Sequence, residues 1–216
     1  LVLSLLNILN TVIIWSVAML VLFIGRKKLL NLFITILFYL KNFRINDFWE
    51  GLLLFLIAGG FFFYLISTFL PPYLNDAISY HIPDIIEIAN GNLLSIGGYG
   101  KWSTNMPILM ETLYAWLYRM GGYNLVNISH YQMVLLLLST IYSIIKIEFN
   151  RLGGLLTVVF IFGIHALLLH SVDSYIYGGL MTYEITGIIL FLLWVKYREN
   201  GWLMLSGVMF GLALAS

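Results

Sequence analysis

Carboxylates are the side chains with the most chemical potential in this chain, and four of the ten fall between residues 71 and 127. Asp76 and His81 stand in the run Asn75-Asp-Ala-Ile-Ser-Tyr-His81, and Glu111 follows in Asn105-Met-Pro-Ile-Leu-Met-Glu111. Such groups take and release protons when they are positioned beside a reacting atom. Close to a bilayer they are costly unless they are hydrated, paired or used. A polar cavity open to one side of a membrane explains them most simply.

The composition requires a membrane environment. The chain of 216 residues is 61% hydrophobic and only 10% charged, whereas soluble domains carry about 25% charged residues. It has no Cys, which excludes disulfide scaffolds and thiol catalysis. A net charge of +1 gives no basic excess for nucleic acid, so nucleic acid is not an expected partner.

Hydropathy predicts an all-α, polytopic transmembrane helical bundle. Segments close to the ~20 residues that cross a bilayer are 3–24, 52–70, 128–145, 153–172, 177–195 and, cut by the end of the sequence, 202–216. The shorter apolar run 29–40 lies between basic residues, so we expect a helix that lies on the membrane surface or dips partly into it. We treat residues 1–216 as a single transmembrane domain, the N-terminal fragment of a longer protein.

Lysine and arginine positions orient these spans. Lys146, Arg151 and Lys196 fall in short loops that the positive-inside rule assigns to the cytoplasm. The loop 71–127 is then outside, as are five carboxylates: Asp76, Asp84, Glu87, Glu111 and Asp173.

The outer loop is expected to carry short amphipathic helices at the membrane boundary. Ile82, Ile85, Ile86 and Ala89 recur at helical spacing, with Asp84, Glu87 and Asn90 on the opposite side. A second short helix, capped by Asn105, is expected to end at Gly121-Gly122.

These motifs together resemble the polytopic glycosyltransferases of the GT-C superfamily. A span is followed by Asn75-Asp-Ala-Ile-Ser-Tyr-His-Ile-Pro83, then by Asn105-Met-Pro-Ile-Leu-Met-Glu111, Gly121-Gly122, Asp173 and a closing Gly207-x-x-x-Gly211. The order is similar to that of the bacterial enzymes that use polyprenyl-phosphate sugar donors, which are related to protein O-mannosyltransferases and to lipid A aminoarabinose transferases. The resemblance covers about 52–216.

The resemblance implies an inverting hexosyl- or pentosyltransferase of the cell envelope. Its donor would be a lipid-linked sugar and its acceptor a glycan, lipid or protein at the outer face of a bacterial cytoplasmic membrane. Asp76 occupies the position of the catalytic base. Members often have a second acid beside it, where this chain has Asn75 and Ala77. The other candidate binding residues are Tyr80, His81, Lys101, Glu111, Arg119 and Asp173.

Several alternatives remain open at this point. No cofactor is specified, and a divalent metal ion is an open alternative. His130, His165 and His170 are spaced too irregularly for a metal motif, so we interpret them as packing or lipid-boundary residues. A transporter or lipid flippase, with Glu184, Asp173 and histidines as an ion or proton path, is the main alternative function. A non-catalytic membrane subunit is the third.

Overall fold

The structure is a computed structural model that describes residues 11–91, 109–164 and 177–216. Within these ranges the chain forms α-helices, one π-helical turn and no strand, so the all-α prediction is confirmed. The helices are α1 (Thr11–Lys41), α2 (Phe48–Ser67), α3 (Ile82–Ala89), α4 (Leu109–Glu148), α5 (Arg151–Phe162), α6 (Tyr177–Tyr197) and α7 (Asn200–Ala215), and the π-helical turn is Ala77–His81.

Three of these helices, α2, α4 and α6, are long and apolar enough to cross a membrane. They lie where the hydropathy predicted spans 52–70, 128–145 and 177–195. Their outward faces carry large exposed apolar side chains such as Phe55, Leu136 and Leu192. Apolar surface of this extent suits lipid rather than water. The chain is therefore a membrane protein.

Helix α1 differs from the expected pair of a span and a surface helix. The expected segments 3–24 and 29–40 join without a break, and α1 runs from Thr11 to Lys41 through Arg26-Lys-Lys28. Arginine and lysine are good helix formers, and Gly25 alone is too weak a breaker to end a helix. The first part of the expected span, before residue 11, lies outside the described residues.

Gly121 and Gly122 divide α4 into two helical parts. Gly122 has φ +67° and Gly121 has φ −157°, so neither is helical. A φ in the left-handed region favours glycine. The short helix before the kink ends where the sequence predicted, while the part after it starts several residues before the expected residue 128.

The remaining helices follow the expected spans in part. The expected span 153–172 is helical from Arg151 only as far as Phe162, and residues 165–172 lie outside the described ranges. Helix α7 corresponds to the expected 202–216 and packs along α6, where Ser206 Oγ donates to the Gly187 carbonyl at 2.8 Å.

Two apolar clusters connect the bundle. The first joins α3 to α4 through Ile85, Ile88, Met110 and Tyr114. The second joins α2 to α5 through Leu53, Ile57, Leu155 and Val158.

Hydrogen bonds add two links between helices. Tyr131 on α4 donates its hydroxyl to the Phe61 carbonyl of α2 at 2.9 Å, and Thr182 on α6 donates to the Met133 carbonyl of α4 at 3.1 Å. Helix α4 therefore contacts α2, α3 and α6.

Charged side chains collect at one end of this bundle. Arg151, at the start of α5, pairs with Glu50 in the first turn of α2, with Nε and Oε1 2.8 Å apart. Lys196 near the end of α6 pairs with Glu148 at the end of α4. These are basic residues that the positive-inside rule assigns to a single face. We call this the basic end.

Close packing of α5 on α4 gives a test of the fold. A Cβ on Gly154 would lie 2.8 Å from Tyr142 Cδ2 and 3.0 Å from the Tyr142 carbonyl oxygen. We expect Gly154→Ala to lower the free energy of unfolding by about 1–3 kcal/mol, because the two helices must separate. Thermal unfolding in detergent measures this change.

Gly207→Ala is the matched control, because a Cβ on Gly207 in α7 meets nothing within 4 Å. Alanine is the better helix former, so this variant should be as stable as the native chain or more stable. Equal effects of the two substitutions would contradict the close contact between α4 and α5.

Candidate functional site

The segment after α2 is helical from Asn75 and contains the π-helical turn Ala77–His81. Pro71 and Pro72 follow the end of α2 and prevent it from continuing. Pro83 lacks an N–H, and its ring would crowd the carbonyl of Ser79 in a regular α-helix. The wider turn, in which Ile82 N–H donates to the Ala77 carbonyl, relieves that crowding. Turns of this kind are frequent at functional sites.

Asp76 lies at the start of this turn and is half-buried. It has helical backbone angles, and its side chain makes no capping hydrogen bond to the turn that follows. Its neighbour Asn75 accepts a hydrogen bond from Ser79 Oγ at 3.2 Å. Helix capping therefore does not explain the carboxylate at position 76.

His81 and Glu111 form a buried pair between the π-helical turn and the first turn of α4. Nδ1 of His81 and Oε1 of Glu111 are 2.7 Å apart, and the two residues are only 2% and 4% exposed. With Glu111 ionised, the imidazole donates its Nδ1 proton to the carboxylate. The second oxygen, Glu111 Oε2, is also buried and has no hydrogen-bond partner among the described residues.

A second buried pair lies next along α4. Tyr114, one turn after Glu111, hydrogen bonds to Nδ1 of His130, and both residues are fully buried. Tyr114 precedes the Gly121-Gly122 kink and His130 follows it, so this bond joins the two parts of α4. Gly178 of α6 packs so closely that its Cβ would lie 2.6 Å from His130 Nε2. The sequence analysis placed His130 among packing residues and did not single out Tyr114.

Tyr80 and Arg119 lie at the edges of this site. The Tyr80 ring is half-buried and packs on the His81 ring, with centroids 4.1 Å apart. Arg119 donates Nε–H to the carbonyl of Ala89, the last residue of α3. A cation there suits the negative end of the helix dipole. Arg119 is half-buried and so still reaches the surface.

Asp84 is more enclosed than the amphipathic pattern indicated. Five of the eight residues of α3 are buried, and Asp84 is among them, whereas Asn90 is exposed as expected. Contacts bury residues beyond the apolar stripe of α3. Helix α4 packs along α3, and Leu74 and Tyr123 contact its first residue, Ile82.

The predicted site residues are thus only partly brought together. Tyr80, His81 and Glu111 share one contact region, Asp76 precedes it by one helical turn, and Arg119 holds the end of α3. Lys101 and Asp173, like His165 and His170, lie outside the described residues. Within the described ranges no group of three His, Asp or Glu side chains is placed to hold a metal ion.

No protein-family model, curated protein or solved structure matches this chain. The resemblance to the GT-C glycosyltransferases stays a prediction that rests on the motifs in the sequence. The function must therefore be argued from the chain's own residues and contacts.

The His81–Glu111 contact can be tested by a double-mutant cycle. Glu111→Ala leaves the buried imidazole without its acceptor, so we expect it to cost about 1–3 kcal/mol of stability. His81→Ala should cost a similar amount. The double variant should cost less than the sum, with a coupling energy of about 0.5–3 kcal/mol. Unfolding of the four proteins in detergent measures the cycle.

Glu184→Ala is the control for loss of a helical carboxylate, because Glu184 is exposed on α6. Because this carboxylate faces away from the bundle on a candidate span, its removal should not lower the free energy of unfolding. Strictly additive losses at positions 81 and 111 would mean that the two side chains do not stabilise each other.

Proposed function

We propose that this chain carries the acceptor-activating part of a membrane glycosyltransferase. The enzyme would transfer a sugar from a polyprenyl-phosphate donor to an acceptor hydroxyl or amine at the outer face. The observation that carries the proposal is Asp76, a half-buried carboxylate just beyond the candidate span α2, which makes no capping hydrogen bond to its own helix. The order of motifs around it supports the same reading.

Asp76 would act as the general base. It takes the proton from the acceptor group while that oxygen or nitrogen forms a bond to the anomeric carbon of the sugar. The bond from that carbon to the phosphate oxygen breaks at the same time, and the polyprenyl phosphate leaves with the electron pair. Attack from the face opposite the phosphate inverts the configuration. Proton removal of this kind contributes about 10²–10⁴-fold to a rate.

His81 and Glu111 would hold the loop that carries Asp76. Both are too buried to contact a substrate in the conformation described, and their hydrogen bond ties the π-helical turn to α4. A fixed base is more effective than a mobile one because the geometry for proton transfer is reached before the reaction begins. We therefore assign them as positioning residues.

The more exposed candidates would contact the substrates. Tyr80 can pack on a sugar ring, and Arg119 can donate its remaining N–H groups to the phosphate that departs. Lys101 and Asp173 remain proposed binding residues. One carboxylate at position 76 beside the amide of Asn75 is a poor ligand set for a divalent ion, so no step is derived through a metal.

We propose that the protein is a multi-pass protein of a bacterial cytoplasmic membrane, with Asp76 facing outward. The support is the separation of charge: Glu50, Glu148, Arg151 and Lys196 pair at the basic end, far along α4 from the His81–Glu111 contact. Basic residues favour the cytoplasmic side.

The transporter alternative has less support from the described residues. It requires Glu184 to join histidines along a path through the bundle interior. Glu184 lies on the exposed side of α6, and no hydrogen bond or ion pair joins it to a histidine of the described residues. His130 is hydrogen bonded to Tyr114 and is buried against Gly178.

Asp76→Asn tests the proposed catalysis. Asparagine keeps the size of the side chain but cannot accept the proton, so we expect transfer to fall about 10²–10⁴-fold. The assay follows consumption of a radiolabelled polyprenyl-phosphate sugar pool by the full-length protein in membranes, at matched expression. Glu87→Gln, on the same helical segment, is the control and should keep native transfer.

Unchanged turnover by Asp76→Asn would remove Asp76 from the mechanism. Equal loss in Asp76→Asn and Glu87→Gln would point to a damaged fold instead of a missing base. If the native chain consumes no donor, the transporter alternative takes the place of the glycosyltransferase.

The absence of cysteine from the chain allows a direct test of orientation. Asn90→Cys, at the exposed end of α3, should react with a membrane-impermeant maleimide on intact cells. Lys146→Cys, exposed at the basic end, should react only after the cells are permeabilised. The native chain should stay unlabelled. The opposite pattern would contradict the outward placement of Asp76.

A further inference from the structure

An apolar groove opens between α2, α4 and α5 on the side of the bundle near the basic end. Its volume is about 280 Å³. Leu54, Ile57 and Phe61 of α2 form one wall, and Leu155 and Val158 of α5 form another. Leu138, Ser139, Tyr142 and Ser143 of α4 complete the lining, while Phe43 and Arg151 lie at the basic end. The hydroxyls of Ser139 and Ser143 donate to carbonyls of their own helix. The groove is therefore apolar inside.

Arg151 is the only charged side chain of this lining. Its Nε pairs with Glu50, its Nη1 donates to the Arg44 carbonyl at 3.0 Å, and its guanidinium lies 4.7 Å from the centroid of the Phe43 ring. Nη2 is buried and has no hydrogen-bond acceptor among the described residues, while 26% of the Arg151 side-chain surface stays accessible. Three contacts hold the guanidinium in place, and its Nη2 atom has no acceptor among the described residues.

The carboxylates around Arg151 already have partners, including Asp47, which accepts from the Glu50 N–H. Glu50 already accepts from Arg151 and from the Asn46 N–H, and Glu148 is paired with Lys196. Lys146 lies beside Tyr142, with Nζ 5.9 Å from the ring centroid, and pairs with no carboxylate of the described residues. An anion at this end of the groove therefore meets Lys146, which has no carboxylate partner among the described residues, beside Arg151, which shares its charge with Glu50.

We propose that this groove binds an anionic phospholipid, with one acyl chain between α2, α4 and α5 and the phosphate group on Arg151 and Lys146. The apolar walls suit a hydrocarbon chain, and the planar guanidinium suits phosphate oxygens. Such basic pockets between spans are suited to acidic headgroups. The site lies at the end of the bundle opposite Asp76, so it is separate from the proposed sugar transfer and does not depend on it.

Native mass spectrometry of the full chain tests this site. The protein in detergent is given dioleoyl phosphatidylglycerol or dioleoyl phosphatidylcholine, which share acyl chains and differ in headgroup charge. The native chain should retain more phosphatidylglycerol. Lys146→Gln should lower that retention about fivefold, the contribution of one cation near an anionic headgroup, and Arg151→Gln by at least as much.

Two further variants separate the groove from general attraction and from misfolding. Lys27→Gln removes an equally exposed lysine from α1 and should leave the preference for phosphatidylglycerol unchanged. Ser139→Phe adds a bulky ring to the groove lining, on a different helix from Glu50 and Arg151, and should reduce the retention of both lipids. Because Arg151→Gln leaves Glu50 buried without its partner, Lys146→Gln and Ser139→Phe test the site with the ion pair intact.

Four outcomes would overturn the proposal. The native chain could retain the two lipids equally, Lys27→Gln could lose as much phosphatidylglycerol as Lys146→Gln, or Ser139→Phe could bind both lipids like the native chain. Displacement of bound phosphatidylglycerol by inorganic phosphate at equal concentration would also overturn it, because the site would then recognise the anion without the acyl chain.

Discussion

The hydrogen bond between His81 and Glu111 determines how the segment after α2 is attached to the rest of the bundle. Both side chains are withdrawn from solvent, and a buried polar group without a partner costs about 1–3 kcal/mol. The π-helical turn must therefore stay within hydrogen-bond reach of the first turn of α4. Ile85 and Ile88 then pack on Met110 and Tyr114, so the apolar contact and the polar contact favour the same docking of α3. The orientation of Asp76 follows from that docking.

The kink in α4 has an equally specific consequence. A straight helix would carry Tyr114 and His130 sixteen positions apart along one axis, more than 20 Å at ~1.5 Å per residue. Because Gly121 and Gly122 leave the helical region, the two parts of α4 turn against each other and the hydroxyl meets the imidazole. The N-terminus of α6 then fits against His130 only because Gly178 has no side chain.

The sequence predicted features that local physics controls. Apolar length located α2, α4 and α6, and two adjacent glycines located the kink, because bilayer thickness and backbone angles each act within a few residues. It could not predict the partner of Glu111, which lies thirty positions earlier, or the bond from Tyr114 to His130. The spacing of residues along the sequence does not determine which helices pack against each other. The continuity of α1 was missed for a different reason: basic residues were read as a membrane boundary, although they are also good helix formers.

The two ends of the bundle use polar groups in different ways. At the basic end, Glu50 takes part in the cap of α2, where its N–H bonds to Asp47, and its carboxylate accepts from both Arg151 and the Asn46 N–H. That carboxylate is satisfied by Asn46, four residues earlier, and by one ion pair that links α2 to α5. At the opposite end Glu111 is satisfied at only one oxygen by the described residues. The buried Glu111 can therefore position the π-helical turn but cannot reach a substrate, and the half-buried Asp76, one helical turn before His81, is the carboxylate of this end to which we propose a role in proton transfer.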